Sequence, residues 1–258
     1  MQDLSVCSIQ AALVWEDVAA NLNAFSERIS DIGDNPDLII LPEMFSTGFS
    51  MNSSALAEKM DGRSISWMAE QESTTGAVIT GSLIIEQNGN YYNRLIWMRP
   101  DGTFSHYDKR HLFRMMEEDQ SYAAGREKLF VNLNGWAICP LICYDLRFPV
   151  WSRNRGDYDV LIYVANWPKP RRDAWRTLLR ARAHENQAYV IGLNRVGMDM
   201  NEIAFAGDSV MIDPKGSLIS EAGEEEKTLQ ASLNYLKLQD FRAKFPTSLD
   251  ADSFSFEL

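Results

Sequence analysis

The sequence reads as an α/β protein, and three features of its patterning point that way. Short apolar runs rich in β-branched residues recur along the chain, and amphipathic stretches with a 3.6-residue apolar period lie between several of them. Turn sequences such as Arg99-Pro100-Asp101-Gly102 and Asp213-Pro214-Lys215-Gly216 join others directly. Strand–helix–strand order mixed with hairpins implies a mixed sheet, or a pair of sheets, with helices outside. Periodicity does not choose between a doubly wound sheet and a two-sheet sandwich.

Taken in order, Leu4–Ile9 is the first expected strand. Asp17–Ile32 follows as a helix whose Val18, Leu22, Phe25 and Ile29 make one apolar stripe. Leu38–Leu41 is a short buried strand stopped by Pro42. Ile65–Glu72 is helical and Val78–Ile85 is the next strand. Tyr91–Met98 and Thr103–Tyr107 form a hairpin about the Pro-Asp-Gly turn. Trp136–Cys143 and Val160–Val164 are core strands, Arg171–Gln187 a helix, and Tyr189–Asn194 and Asp208–Ile212 further strands. Thr228–Leu233 is the last strand and Leu236–Lys244 a late helix.

The chain has 258 residues, 45% of them hydrophobic, with no linker-like stretch and no repeat, so residues 1–258 are expected to form one domain with 245–258 as a C-terminal tail. The formal net charge of −11 opposes binding to a phosphate backbone. No apolar stretch approaches the roughly 18 residues that would span a bilayer. The start, MQDLSVCSIQ, lacks the basic and apolar regions of a signal peptide. Cys7, Cys139 and Cys143 are an odd number, which argues against a disulfide framework. A reducing cytoplasm, with a thiol free for catalysis, is the expectation.

Strand ends are where a rigid element offers a side chain to a loop, and three of them carry chemistry. Leu38-Ile39-Ile40-Leu41-Pro42-Glu43 delivers a carboxylate, Tyr107-Asp108-Lys109-Arg110-His111-Leu112 an ammonium, and Leu141-Ile142-Cys143-Tyr144-Asp145-Leu146-Arg147-Phe148-Pro149 a thiol. Singly, each has an ordinary explanation: a capping glutamate, a wet loop, a buried core cysteine. Together they make a nucleophilic set.

These three segments, in this order, resemble the signature regions of the nitrilase (carbon–nitrogen hydrolase) superfamily. The resemblance extends through Ala181-Arg182-Ala183-His184-Glu185-Asn186-Gln187 and Gly207-Asp208-Ser209, so it covers nearly the whole chain. It implies a four-layer α-β-β-α sandwich, with Glu43 as general base, Lys109 as oxyanion-stabilising cation and Cys143 as nucleophile. It also implies a second glutamate in the loop before Gly125, which Glu118 fits, with Glu117 as its neighbour and rival. A thiol with an ordinary pKa near 8.5 is mostly protonated at neutral pH, so Lys109 would favour the thiolate while Glu43 accepts its proton. The Tyr144 backbone N–H would join Lys109 at the oxyanion.

The motif around Cys143, with Ala165-Asn166-Trp167-Pro168 and Asn194-Arg195-Val196-Gly197, is most similar to the bacterial omega-amidase-like branch. That similarity implies hydrolysis of terminal amides of 2-oxo acids such as 2-oxoglutaramate and 2-oxosuccinamate. Arg171, Arg172 and Arg114 are candidates to hold the substrate carboxylate, since a guanidinium matches its geometry. Phe45, Phe113, Tyr144 and Trp167 are candidates for aromatic walls. Arg147 and Asp145 are expected to pair beneath the site, and Cys139 and Cys7 to be packing. No phosphate-cradling loop and no metal-ligand spacing among His106, His111 and His184 is present, so no cofactor or metal is expected. A homodimer or larger homo-oligomer, with the tail near the interface, is what the resemblance implies. The competing readings are a Cys-His hydrolase or acyltransferase using one of the histidines, or a non-catalytic interaction module.

Overall fold

Alternation along the first strand decides the layering. The computed structural model describes residues 2–33 and 36–256, leaving the last two residues of the tail outside the described part. In β1 (Leu4–Gln10), Leu4 and Val6 enter one core cluster while Cys7 and Ile9 enter another. The same split recurs in β2 (Leu38–Ile40), where Leu38 and Ile40 face the first cluster and Ile39 the second. A strand apolar on both faces must be covered on both. One face here meets a second sheet and the other meets α1 (Val18–Ser30) and α3 (Arg63–Thr75), with the short α2 (Ser53–Leu56) between β2 and α3.

The chain continues through β3 (Val78–Gln87), β4 (Asn90–Met98), β5 (Phe104–Asp108), α4 (Glu118–Ser121), β6 (Val131–Leu133), β7 (Trp136–Ile142), α5 (Pro149–Ser152) and β8 (Val160–Ala165). It closes with α6 (Arg172–Asn186), β9 (Tyr189–Asn194), β10 (Val196–Met198), β11 (Ala204–Ala206), β12 (Val210–Ile212), β13 (Leu218–Glu221), β14 (Lys227–Leu233) and α7 (Tyr235–Lys244). One sheet has the order β14-β1-β2-β3-β4-β5, the other β13-β12-β9-β8-β7-β6, and β10–β11 is a separate ribbon. β1, β2 and β3 run parallel, as do β7, β8 and β9; antiparallel partners flank them. With α6 packed on β9 and β12, the result is a four-layer α-β-β-α sandwich.

Local chemistry explains the element ends. The Asp17 carboxylate accepts from Ala20 N at 2.9 Å and caps α1, whose Leu22, Phe25 and Ile29 are buried. Burial of each such side chain contributes about 1.5–3 kcal/mol. α3 ends where Gly76 takes a left-handed φ of 69°. Every helix and strand read from periodicity falls on an observed element. The strands β6, β10, β11 and β13 escaped because three or four residues, several of them exposed, show no period.

The ends of β2, β5, β7 and β8 converge on one region. The loop after β2 crosses β3 at Gly81, where a Cβ would lie 2.8 Å from Leu41 Cβ and 2.9 Å from the Phe45 ring. The loop that returns past β5 does so at Gly125, where a Cβ would stand 2.0 Å from the Asp108 carbonyl oxygen. Both glycines let chain pass chain where a side chain would hold them apart.

Candidate active site

Glu43, Lys109, Glu118 and Cys143 meet where those strands end. Lys109 Nζ donates to Glu43 Oε1 at 2.9 Å and to both oxygens of Glu118 at 2.9 Å. Asn93 Nδ2 donates to Glu43 Oε1 at 2.8 Å and its Oδ1 accepts from Ser82 Oγ, so the amide orientation is fixed from both sides. Glu43 Oε2 accepts from the Asn166 backbone N–H at 2.7 Å, and Asn166 Nδ2 donates to the Glu43 carbonyl at 2.6 Å. Glu118 Oε2 also accepts from the Phe113 N–H at 2.6 Å. Both carboxylates and the ammonium are buried, and Cys143 is 9% exposed. Glu117, the rival to Glu118, is exposed at a left-handed φ of 57° just before α4.

Such burial is tolerable only because the charges satisfy one another. Burial alone would lower the Lys109 pKa, but Glu118 and Glu43 outweigh it and hold the ammonium above its ordinary range. Burial raises the Glu118 carboxyl, with the Lys109 charge opposing. The Cys143 thiol is pushed well above its usual value, first by burial and then by the Glu43 charge, against the pull of Lys109. Lys109 thus pulls the thiol toward the thiolate, as the sequence reading has it, while burial and the Glu43 charge push the other way. Cys7 and Cys139, pushed by burial up to about 12, are core packing.

Cys143 lies one residue past β7, at a left-handed φ of 42° opening a 3-10 turn over Cys143–Arg147. A non-glycine residue there carries strain of about 1–3 kcal/mol, which surrounding contacts have to offset. The turn lifts the thiol out of the sheet into a cavity of about 540 Å³. Lys109, Cys143 and Asn166 line its deep part, and Phe49, Phe113, Met116, Tyr144, Trp167 and Phe205 supply its walls. Asn194 Oδ1 accepts from Trp167 N at 2.7 Å and Nδ2 donates to Trp167 O, which is how the Asn194-Arg195 motif serves this wall.

Phe113, Tyr144, Trp167 and Arg171 thus line the cavity, while Arg172, Arg114 and Phe45 do not. Arg172 is spent on Asp208, both oxygens at 2.9 Å, and on Glu224. The Arg114 side chain is 87% exposed and reaches only Asp119 at 3.7 Å. Phe45 lies in the outer core with Ile39 and Leu41 and packs on Phe25 and Trp67. The expected Arg147–Asp145 pair is also absent. Asp145 points inward to Tyr107 and His111, and Arg147 lies over the Trp167 ring at 5.1 Å, lining the cavity. The sequence signal for Arg147 was adjacency to the nucleophile motif; its partner was misread. None of His106, His111 and His184 lines the cavity or is among the groups acting most strongly on the Cys143 thiol, where Glu43 stands, which counts against the Cys-His alternative. No group of three or more His, Cys, Asp or Glu among the described residues is placed to hold a metal ion.

The sequence model of the carbon–nitrogen hydrolase family matches residues 5–243. Omega-amidase YafV of Escherichia coli K12 is 46% identical over 98% of this chain and 99% of its own. The 2-oxoglutaramate amidase of Bacillus subtilis is 37% identical over 94% and 95%. XC1258 of Xanthomonas campestris, a CN-hydrolase superfamily protein solved with an arsenic adduct in its active site, superposes with a TM-score of 0.98 at 44% identity, covering both chains completely.

Proposed function

Because the chain belongs to the carbon–nitrogen hydrolase family, we propose that it is an omega-amidase that releases ammonia from the terminal amide of short 2-oxo acids such as 2-oxoglutaramate and 2-oxosuccinamate. The observation that carries the reading is the cavity's polarity. A thiol and an ammonium close its deep part, with the Glu43 and Glu118 carboxylates behind the ammonium. The walls are largely apolar, and two cavity-lining guanidiniums, Arg147 and Arg171, form no ion pair among the described residues, although Asp199 and Glu202 also line the cavity. Arg147 is exposed and Arg171 half-buried; Lys169 and Arg172 nearby are neutralised by Glu224 and Asp208. An amide at one end and a carboxylate at the other is the substrate that fits. The names and identities of the bacterial relatives support the same assignment.

The chemistry follows from the contacts. Cys143 Sγ attacks the amide carbon while its proton passes to Glu43, so no free thiolate has to be stabilised in the resting enzyme. The oxyanion gains the Lys109 ammonium and the Tyr144 N–H at the start of the turn, donors of a kind that contribute roughly 3–4 kcal/mol each. Glu43 returns the proton to the leaving nitrogen and ammonia departs, leaving a thioester. Glu43 then takes a proton from water, whose oxygen attacks the thioester carbon, and the acid leaves as the thiol is restored. Glu118 keeps Lys109 charged and aimed throughout.

The reading extends to a homo-oligomer in the cytoplasm. No helix among the described residues is long and apolar enough to cross a membrane. The C-terminal segment leaves Phe245 and Leu249 61% and 82% exposed, which suits a neighbouring subunit. A monomeric mass by light scattering at micromolar concentration would remove the oligomer. The activity itself is tested by ammonia release from a panel of omega-amides, nitriles and N-carbamoyl compounds. Turnover of 2-oxosuccinamate above the rest is expected, and preference for a nitrile or carbamoyl compound would overturn the assignment.

A further inference from the structure

We infer that Asp145 and His111 form a clasp that sets the spacing between the nucleophilic thiol and the oxyanion-binding ammonium, both acting as positioning residues. The inference rests on the roles proposed above for Cys143 and Lys109. Asp145 follows Cys143 by two residues and His111 follows Lys109 by two. A bond between the second pair therefore ties together the backbones that carry the first. That bond is double: Asp145 Oδ1 accepts from the His111 backbone N–H at 3.0 Å and lies 2.8 Å from ring Nδ1.

The other oxygen repeats the pattern. Asp145 Oδ2 accepts from the Tyr107 hydroxyl at 2.7 Å and from the Ile142 N–H at 3.0 Å. Tyr107 lies two residues before Lys109 and Ile142 one residue before Cys143, so a single buried carboxylate grips the chain on both sides of both functional residues. Its grip on Ile142 also braces the left-handed turn at Cys143.

Only an ionised carboxylate serves here. Four donors converge on it, and an asparagine would turn its own N–H groups toward two of them. The ionised acceptor requires the proton on His111 Nδ1, and the ring is aimed by its stack on Phe148, 3.8 Å between centroids at 7°. The Tyr107 hydroxyl accepts from Trp151 Nε1 at 3.1 Å, which directs its own proton to Asp145. Neither Asp145 nor His111 lines the cavity, so both act through the residues that do.

The test is steady-state kinetics on 2-oxosuccinamate with the full chain, using variants that separate the donor from the ring. His111→Phe keeps the aromatic stack and lacks the donor; His111→Asn loses the stack and offers a donor near the same place. Asp145→Asn turns an acceptor into a donor. Displacing reacting groups by a fraction of an ångström lowers turnover by about tenfold or more. That fall in kcat is expected in His111→Phe and Asp145→Asn, with KM within about twofold and His111→Asn close to wild type. If Asp145→Asn does not fold, the two His111 variants decide. Wild-type kcat in His111→Phe, equal damage in His111→Asn, or a loss carried by KM alone overturns the clasp. Cys143→Ala is the control: activity retained there overturns the reading of the site itself, whereas an inactive Cys143→Ala beside an unimpaired His111→Phe overturns only the clasp.

Discussion

The two ends of the cavity treat charge in opposite ways. At the deep end every charge is answered from within the protein. Glu43 is held by Lys109, Asn93 and Asn166, and Glu118 by Lys109 and the Phe113 N–H. Toward the mouth, Arg147 and Arg171 have aromatic rings and a thioether beside them and form no ion pair among the described residues, although Asp199 and Glu202 line the same cavity. The deep end holds its geometry whether or not substrate is present, which is what chemistry requires. The open end keeps its hydrogen-bonding capacity for a ligand, which is what recognition requires. Mutations at the two ends should therefore differ in kind: deep ones should remove turnover, outer ones should weaken binding of one substrate class.

The largest effect should come from Cys143→Ala, which leaves ammonia release at background, while Cys139→Ala and Cys7→Ala keep most of theirs. Turnover by purified Cys143→Ala would end the thioester mechanism. Glu43→Gln comes next, with kcat reduced by about 10²–10⁴, the range of a lost general acid–base. The same variant probes the raised thiol. Because burial and the Glu43 charge push the Cys143 pKa up, its alkylation by iodoacetamide should still be accelerating above about pH 9, where an ordinary thiol levels off. Removing the Glu43 charge takes away one of the raising causes, so the profile in Glu43→Gln should move to lower pH. A profile that levels off near pH 7 in the wild type would mean that a thiolate is already present.

The contrast between the two ends also accounts for what could be read from sequence. Glu43 and Cys143 follow strands with clear apolar runs, whereas β5 before Lys109 reads Phe104-Ser105-His106-Tyr107-Asp108, so the three were legible together through their ordered family motifs more than through any one strand. The partners were not. Asn166 reaches Glu43 across 123 residues and Arg172 reaches Asp208 across 36, and no local pattern encodes those distances. Phe45 keeps the outer face that Ile39 and Leu41 share, so adjacency to Glu43 in sequence does not bring it to the cavity. The long strands and amphipathic helices followed their periods, while the β10–β11 ribbon, whose Phe205 walls the cavity, is too short to show one.

At the open end, Arg147→Met and Arg171→Met should each raise KM for 2-oxosuccinamate by about tenfold, matching a lost charge-assisted pair of roughly 1.5–3 kcal/mol. kcat should change little, because these guanidiniums lie with the outer walls and not with the reacting atoms. A simple aliphatic amide, with no carboxylate to hold, should be turned over as before. Equal losses on both substrates would show that the arginines shape the walls and do not bind an anion.

The smallest effect should be that of Arg172→Met, and it sharpens the contrast because Arg172 differs from Arg171 by one position and by having partners. Its guanidinium spans Asp208 and Glu224 at the start of α6, partly exposed, and does not line the cavity. Exposed pairs of this kind contribute about 1 kcal/mol or less. The variant should therefore lose a little thermal stability, read as a small fall in Tm, and keep KM for 2-oxosuccinamate within about twofold of wild type. Arg171→Met should show the reverse, a higher KM with an unchanged Tm, since it gives up no ion pair. If Arg172→Met instead raised KM as much as Arg171→Met, the substrate carboxylate would be competing for Arg172 against Asp208 and Glu224, and pairing within the protein would no longer distinguish structural arginines from recognising ones.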